Sequence, residues 1–219
     1  MEKYFGILSQ CPLFADIEQS ELNAVTGCLN GKTVKIPKGN PVFLEGDPAR
    51  YVGVVLLGTI QVIREDYYGN RSVMAALQPG ELFAEVFSCA GLVTMPVSVI
   101  AVTDSEVLLL DCRRVFTSCS NACHFHSLLM KNLLQEMARK NLELTRKIRY
   151  MSQKTTKEKL MEYLLDQAKQ QGSKEFVIPH NRQSLADYLG VERSAMSAEI
   201  SKLKRSGQID THGSWFCLK

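Results

Sequence analysis

Seven positions in the second half of the chain recur at alternating intervals of four and three: Met130, Leu134, Met137, Asn141, Leu144, Ile148 and Met151. Six are apolar and the middle one is an amide. A strand cannot use this spacing, because its alternate residues point to opposite faces. The pattern predicts a helix of about six turns. Its seam covers three heptads and calls for a partner helix. A lone asparagine in such a seam fixes register and two-strandedness. A helix that pairs with its own copy makes a symmetric dimer.

Upstream, between about 32 and 111, the texture is different. Short β-rich runs read as strands at Lys32–Ile36, Pro41–Leu44, Val52–Leu57, Thr59–Arg64, Arg71–Leu77, Val97–Val102 and Ser105–Leu110. Turn residues separate them, among them Pro37-Lys38-Gly39, Tyr68-Gly69-Asn70 and Gln78-Pro79-Gly80. Many short strands with regular turns predict a β jelly roll, whose interior can hold one small ligand. Ser20 is placed to cap a short helix carrying Leu22, Val25 and Leu29. Downstream of the seam, Ser152–Thr156 is polar and reads as a hinge, with Thr155 or Thr156 capping the next helix, Lys157 to about Gln170. The fold class is α+β, with an expected division at 1–118 (barrel), 119–152 (dimerisation helix) and 153–219 (a C-terminal helical domain).

Residues 182–207, RQSLADYLGVERSAMSAEISKLKRSG, carry two helical runs joined by Gly190-Val191-Glu192. A brief strand at Phe176–Ile178 precedes them, and a hairpin of Gln208–Thr211 and Trp215–Leu218 follows. This is the plan of a winged helix-turn-helix. Ala186 lets the second helix approach closely, and Gly190 suits the left-handed turn. Leu185, Leu189, Val191, Met196, Ile200 and Leu203 form the expected core. The flank left over is slender and polar: Arg193, Ser194, Ser197, Ala198 and Ser201. A helix lying in a major groove needs such a flank, because bulky apolar side chains would clash or stay exposed. Arg193 is the base-reading candidate, and Arg182, Lys202, Lys204, Arg205 and His212 are candidate phosphate contacts. Glu199 occupies a place where an apolar residue is usual, which predicts a helix rotated by a fraction of a turn.

Charge supports a polyanionic partner for the rear of the chain only. Residues 1–129 hold 9 Lys/Arg against 13 Asp/Glu, and residues 130–219 hold 17 against 10. Double-stranded DNA is the expected partner. No apolar run is long enough to span a membrane, and the N-terminus lacks the features of a secretory signal, so a cytoplasmic location is expected. No Gly-rich phosphate loop, zinc-hydrolase signature or nucleophile elbow occurs, so no enzymatic activity is expected. The seven cysteines are scattered and odd in number, which argues against a disulfide framework. The stretch from Cys112 through Cys119 and Cys123 to His124 and His126 offers soft and imidazole ligands. It reads foremost as structural packing, with Cys119, Cys123 and His124 as weak metal candidates and no metal expected. A metal- or redox-sensing regulator built on Cys112, Cys119 and Cys123 is the alternative reading.

Barrel, seam helix and winged helix-turn-helix, in that order, resemble the bacterial Crp/Fnr family of transcription regulators over nearly the whole chain. The resemblance is carried by 12-PLFADIEQSEL-22, 38-KGNPVFLEGDPA-49, 57-LGTIQVIRED-66, 79-PGELFAEV-86 and 182-RQSLADYLGVERSAMS-197. It implies a cyclic-nucleotide-binding-like barrel (a double-stranded β-helix), a homodimer on a roughly palindromic DNA site, a small-molecule effector and RNA polymerase as a further partner. In cyclic-nucleotide-binding members the counterpart of Glu85 contacts the ribose, and an arginine with a small hydroxyl residue holds the cyclic phosphate. Here those two places are Met95 and Pro96, and no Lys or Arg occurs between Arg71 and Arg113. A buried phosphate without a cationic cradle is costly. Of the hydroxyl pair that meets adenine on the seam helix, the counterparts are Leu144 and Thr145. The expectation is an apolar or weakly acidic effector against Phe83, Glu85, Met95, Pro96, Val97, Leu144 and Thr145, and not cyclic AMP.

Overall fold

The computed structural model describes residues 2–116 and 124–219. The chain forms two compact units, Met1–Ala138 and Arg139–Lys219.

The first unit opens with helix α1 (Phe5–Leu8), a 3-10 turn at Pro12–Phe14 and helix α2 (Leu22–Cys28). Ser20 does not cap α2: its hydroxyl donates to Glu18 Oε2 at 3.2 Å, and Glu21 precedes the helix without a side-chain cap. Strands β1 (Lys32–Ile36), β2 (Pro41–Phe43), β3 (Tyr51–Leu57), β4 (Ile60–Glu65), β5 (Arg71–Leu77) and β6 (Leu82–Phe83) lead to the short helix α3 (Glu85–Cys89). Strands β7 (Ser98–Ala101) and β8 (Ser105–Asp111) and helix α4 (Cys112–Phe116) follow. All strand pairs of this unit are antiparallel, in two four-stranded sheets of order β1-β8-β3-β6 and β2-β7-β4-β5.

The two sheets differ in how they are covered, and their sequences show it. In sheet β1-β8-β3-β6 the central strands β8 and β3 are buried on both faces while edge strand β1 is mostly exposed, so β3 reads YVGVVLL without polar alternation. One face, through Val55 and Val107, meets Phe43, Ile60, Val97 and Val99 in the barrel interior. The other, through Val52, Val54, Leu56, Leu108 and Leu110, packs against Leu8, Leu13, Phe14 and Val25 of the N-terminal segment. Edge strand β5 is largely exposed. Gly53 has a tertiary reason: the Phe83 ring lies against it, and a Cβ there would overlap the ring.

Helix α5 (His124–Met151) runs through the boundary between the units. In the first unit its Phe125, Leu129 and Leu133 join the cluster beneath the sheet, with Met137 partly buried there too. Asn132 is also buried and donates to the carbonyls of Leu13 (3.1 Å) and Ala15 (2.6 Å).

The second unit contains the end of α5, helix α6 (Thr156–Gln171), strand β9 (Glu175–Val177), helices α7 (Arg182–Leu189) and α8 (Arg193–Arg205), and strands β10 (Ile209–His212) and β11 (Trp215–Leu218). The strands form one sheet of order β10-β11-β9. Thr155 caps α6 in a reciprocal box with Glu158. The expected hinge is tied down. Ser152 N–H donates to Ile148 O at 2.9 Å, and Tyr150, almost fully buried, donates its hydroxyl to Asp166 on α6 at 2.5 Å. Arg149 adds a 2.7 Å ion pair to Asp166 and a 3.1 Å pair to Glu162. Polar residues at 152–156 mark a break in the helix. Freedom to bend is a separate matter, and here side chains on either side of the break hold it.

Candidate DNA interface and effector pocket

Asn181 begins α7, its side-chain oxygen accepting from Ser184 N–H at 2.9 Å. Gly190 ends it with φ 61° and ψ 50°, the left-handed region in which a side chain is strained. Val191 N–H then returns to Ala186 O at 3.0 Å, closing the sharp turn from which α8 departs. Leu185, Ala186, Leu189, Met196, Ile200 and Leu203 are buried together, and Val191 is partly so.

That burial sets the roll of α8. Met196, Ile200 and Leu203 face inward, so Arg193, Ser194, Ala195, Ala198 and Ser201 face outward and Ser197 sits at the border. Glu199 is also at the border, where it pairs with Lys202 at 2.6 Å. A partly wet position is one where a carboxylate replaces an apolar residue at small cost. Ser201 donates its hydroxyl to Ser197 O at 2.9 Å, back along its own helix. Arg193 and Arg205 are exposed and have no ion-pair partner among the described residues. His212 is exposed on the wing.

Besides Lys202, which pairs with Glu199, two further candidate phosphate contacts are engaged within the unit. Lys204 donates to Thr211 O at 3.1 Å and pairs with Asp210 at 2.8 Å; its hydrogen bond holds the Asp210 carboxyl below the usual range. Arg182 is turned inward, over the Phe216 ring at 4.9 Å, with Nη2 donating to Thr211 Oγ1 at 3.0 Å. Burial lowers its pKa, and Nη1 is buried without a hydrogen-bond partner among the described residues. Arg182 joins α7 to the wing, and nothing in the sequence distinguishes such a brace from a solvated cation.

In the first unit, Phe83, Met95 and Val97 belong to the packed barrel interior, with the Phe43 and Phe83 ring centroids 6.1 Å apart. Met95 is held by its backbone, N–H to Asp47 O at 2.8 Å and O from Gly46 N–H at 2.9 Å. Pro96 is exposed. Glu85 is buried at the start of α3, directly after Ala84, whose φ of 62° is left-handed. Leu144 and Thr145 are exposed residues of the other unit. A depression of about 340 Å³ lies elsewhere in the first unit, against Lys35, Ile36, Leu57, Asp104 and Glu106, and shares no residue with the expected pocket.

Most of the seam is uncovered: Leu134 is 70% exposed, Leu144 60% and Ile148 68%, and Met130, Asn141 and Met151 are exposed as well. Met137 is shared, because it lies one turn beyond Leu133 on the edge that packs beneath the barrel sheet.

Residues 33–120 match the sequence profile of the cyclic nucleotide-binding domain, and residues 158–219 match that of the Crp-like helix-turn-helix domain. The chain belongs to the Crp/Fnr family of transcription regulators. This Crp/Fnr chain is 26% identical over 198 residues to the cyclic AMP receptor protein of Thermus thermophilus, covering 90% of this chain and 88% of that one. It is 27% identical over 190 residues to the transcriptional activator protein FnrL of Cereibacter sphaeroides, covering 80% and 71%. Among solved structures it shares the fold of the Thermus thermophilus catabolite activator protein, with a TM-score of 0.51, 24% identity and coverage of 95% and 93%. It also shares that of the c-di-GMP-responsive regulator CLP of Xanthomonas campestris, with a TM-score of 0.53, 20% identity and coverage of 89% and 97%. These relatives are regulators and not enzymes, and DNA binding goes with the helix-turn-helix domain.

The alternative of a metal- or redox-sensing regulator built on Cys112, Cys119 and Cys123 gains no support from these relatives. Cys119, Cys123 and the side chain of His124 lie outside the described residues. Among the described residues, no three His, Cys, Asp or Glu side chains stand together as a metal site, and no helix is long and apolar enough to cross a membrane. Sequence reasoning missed helix α3, because Glu85–Cys89 is too short for a periodicity to register.

Proposed function

We propose that this Crp/Fnr regulator acts as a homodimer that grips a two-fold DNA site with one copy of α8 per half-site. We place the barrel at 1–118, the pairing segment at 119–152 and the DNA-binding domain at 153–219; the boundary at 118/119 lies outside the described residues. The observation that carries the reading is the uncovered seam of α5. Leu134, Leu144 and Ile148 stand in solvent at heptad spacing, and a second copy of the same helix is the natural cover. The exposed flank of α8 supplies Arg193 for a base edge, with Ser194, Ser197, Ala198 and Ser201 beside it. Arg205, His212 and Lys202 face the phosphates, while Lys204 and Arg182 shape the wing.

The effector is a small molecule other than cyclic AMP. Met95 and Pro96 stand where a cyclic phosphate needs a cation and a hydroxyl, and the interior wall is Phe83 and Val97. Such a ligand enters only if Phe83 or Met95 yields its place, so its binding is coupled to repacking of the barrel. Because α5 is continuous from one unit into the other, a change at the barrel has a covalent route to α8. RNA polymerase in the cytoplasm is the further partner this reading implies.

Sedimentation combined with DNA titration tests the proposal. The expected result is a dimer whose DNA affinity falls steeply with salt. Leu134→Glu with Ile148→Glu should give monomers that bind a palindromic site only weakly. Tight operator binding by a monomer would overturn the reading.

A further inference from the structure

Two thiols meet in the first unit although 23 positions separate them in the chain. Cys89, half-buried, ends α3; Cys112, buried, begins α4; their Sγ atoms are 3.4 Å apart. Both carriers are held in place independently of the thiols. Ser88 Oγ donates to Tyr51 O at 2.7 Å, which pins α3 to β3. Cys112 N–H donates to Arg50 O at 3.1 Å, and the Arg50 guanidinium pairs with Asp111 at 2.6 Å. The pair is therefore delivered by the backbone, with 3.4 Å left between the sulfurs.

We propose that Cys89 and Cys112 form a dithiol site that a hydroperoxide oxidises reversibly to an intrachain disulfide. Cys89 is the attacking residue because it is the one solvent reaches. Its thiolate attacks the peroxide oxygen, the O–O bond breaks, and the leaving oxide takes a proton to become water or an alcohol. Cys112 sulfur then attacks the sulfenic sulfur of Cys89; the S–O bond breaks, and hydroxide leaves with the Cys112 proton as water. Two thiols lose two electrons and two protons, and one peroxide bond is reduced. The sharing of a proton between the sulfurs favours this order. It holds the Cys89 thiol below its ordinary range, against burial and the nearby Glu85, and pushes the Cys112 thiol up. A disulfide here ties together the ends of the segment 90–111, which carries Met95, Pro96 and Val97. An effect on ligand response rests on the effector reading above; the thiol chemistry does not.

The test uses the full-length reduced protein and one equivalent of hydrogen peroxide, followed by alkylation and non-reducing peptide mapping. The expected result is five alkylated thiols out of seven and a peptide containing Cys89 linked to one containing Cys112, reversed by dithiothreitol. Cys112→Ser should stop at a sulfenic acid on Cys89 that dimedone traps, and Cys89→Ser should leave Cys112 as the free thiol. Linkage of either residue to another cysteine, or no Cys89–Cys112 linkage at that dose, overturns the proposal. The wild-type map decides by itself should a variant fail to fold.

Discussion

The two compact units handle their candidate sites in opposite ways. In the DNA-binding unit, α8 commits Met196, Ile200 and Leu203 to the core and leaves its outer flank bare. On the proposed reading, DNA binding there would need no rearrangement of packing, so binding and stability would be separable. In the barrel unit, the candidate pocket residues Phe83, Met95 and Val97 are themselves core. On the proposed effector reading, occupying that site would displace packed side chains, so ligand binding and stability would be coupled. If both proposed sites are right, the sensor would respond by changing its own packing, whereas the reader would offer a face that is already finished.

The largest effect that sharpens this contrast is expected at Gly53→Ala, where the added methyl meets the Phe83 ring. Overpacking of this kind costs about 3 kcal/mol. Urea unfolding should show it in the barrel, with the second unit unaffected. The counterpart in the reader is Arg193→Ala. It should weaken operator binding by about 2 kcal/mol, relax base preference at one position per half-site and leave the unfolding midpoint in place. An equal loss of stability in Arg193→Ala would break the comparison.

A smaller effect probes the tie at the start of the second unit. Burial works to raise the Asp166 pKa, but hydrogen bonds from Tyr150, Arg149 and Gln170 outweigh it and hold the carboxyl below the usual range. Its contribution is therefore fully present above the unfolded value of about 3.9 and is lost as pH falls through the lower folded value. Asp166→Asn should cost about 1.5 kcal/mol at neutral pH and flatten the decline in stability below about pH 4. Steeper acid unfolding in the variant would contradict this. The smallest effect is a gain. Ala84→Gly relieves a left-handed alanine and should stabilise the barrel by about 0.5 kcal/mol, after the added flexibility of the unfolded chain is subtracted.

Much of the reader was legible residue by residue. Ala186, Gly190 and the spacing of Met196, Ile200 and Leu203 are local signals, since a helix, its cap and its buried stripe lie within a few turns of one another. Thr155, too, is a local cap with its partner three residues on. Other features depend on residues far apart in the chain, and local periodicity is blind to them. Arg182 and Lys204 read as candidate phosphate contacts, and only the wing places Phe216, Thr211 and Asp210 against them. Ser152–Thr156 looked like a hinge until Tyr150 and Asp166 met across it. Met137 lies on a boundary that only the packing of Leu133 beneath the barrel sheet could draw.

By itself, then, the order of residues determined the two architectures and the helix between them, because turn chemistry and apolar period act over short distances. Only the tertiary structure decided that Phe83, Met95 and Val97 are core, that Arg182 faces inward and that Cys89 meets Cys112. Those outcomes come from long-range packing, where the neighbour that matters is set by the closure of the sheets and not by the next few residues of the chain.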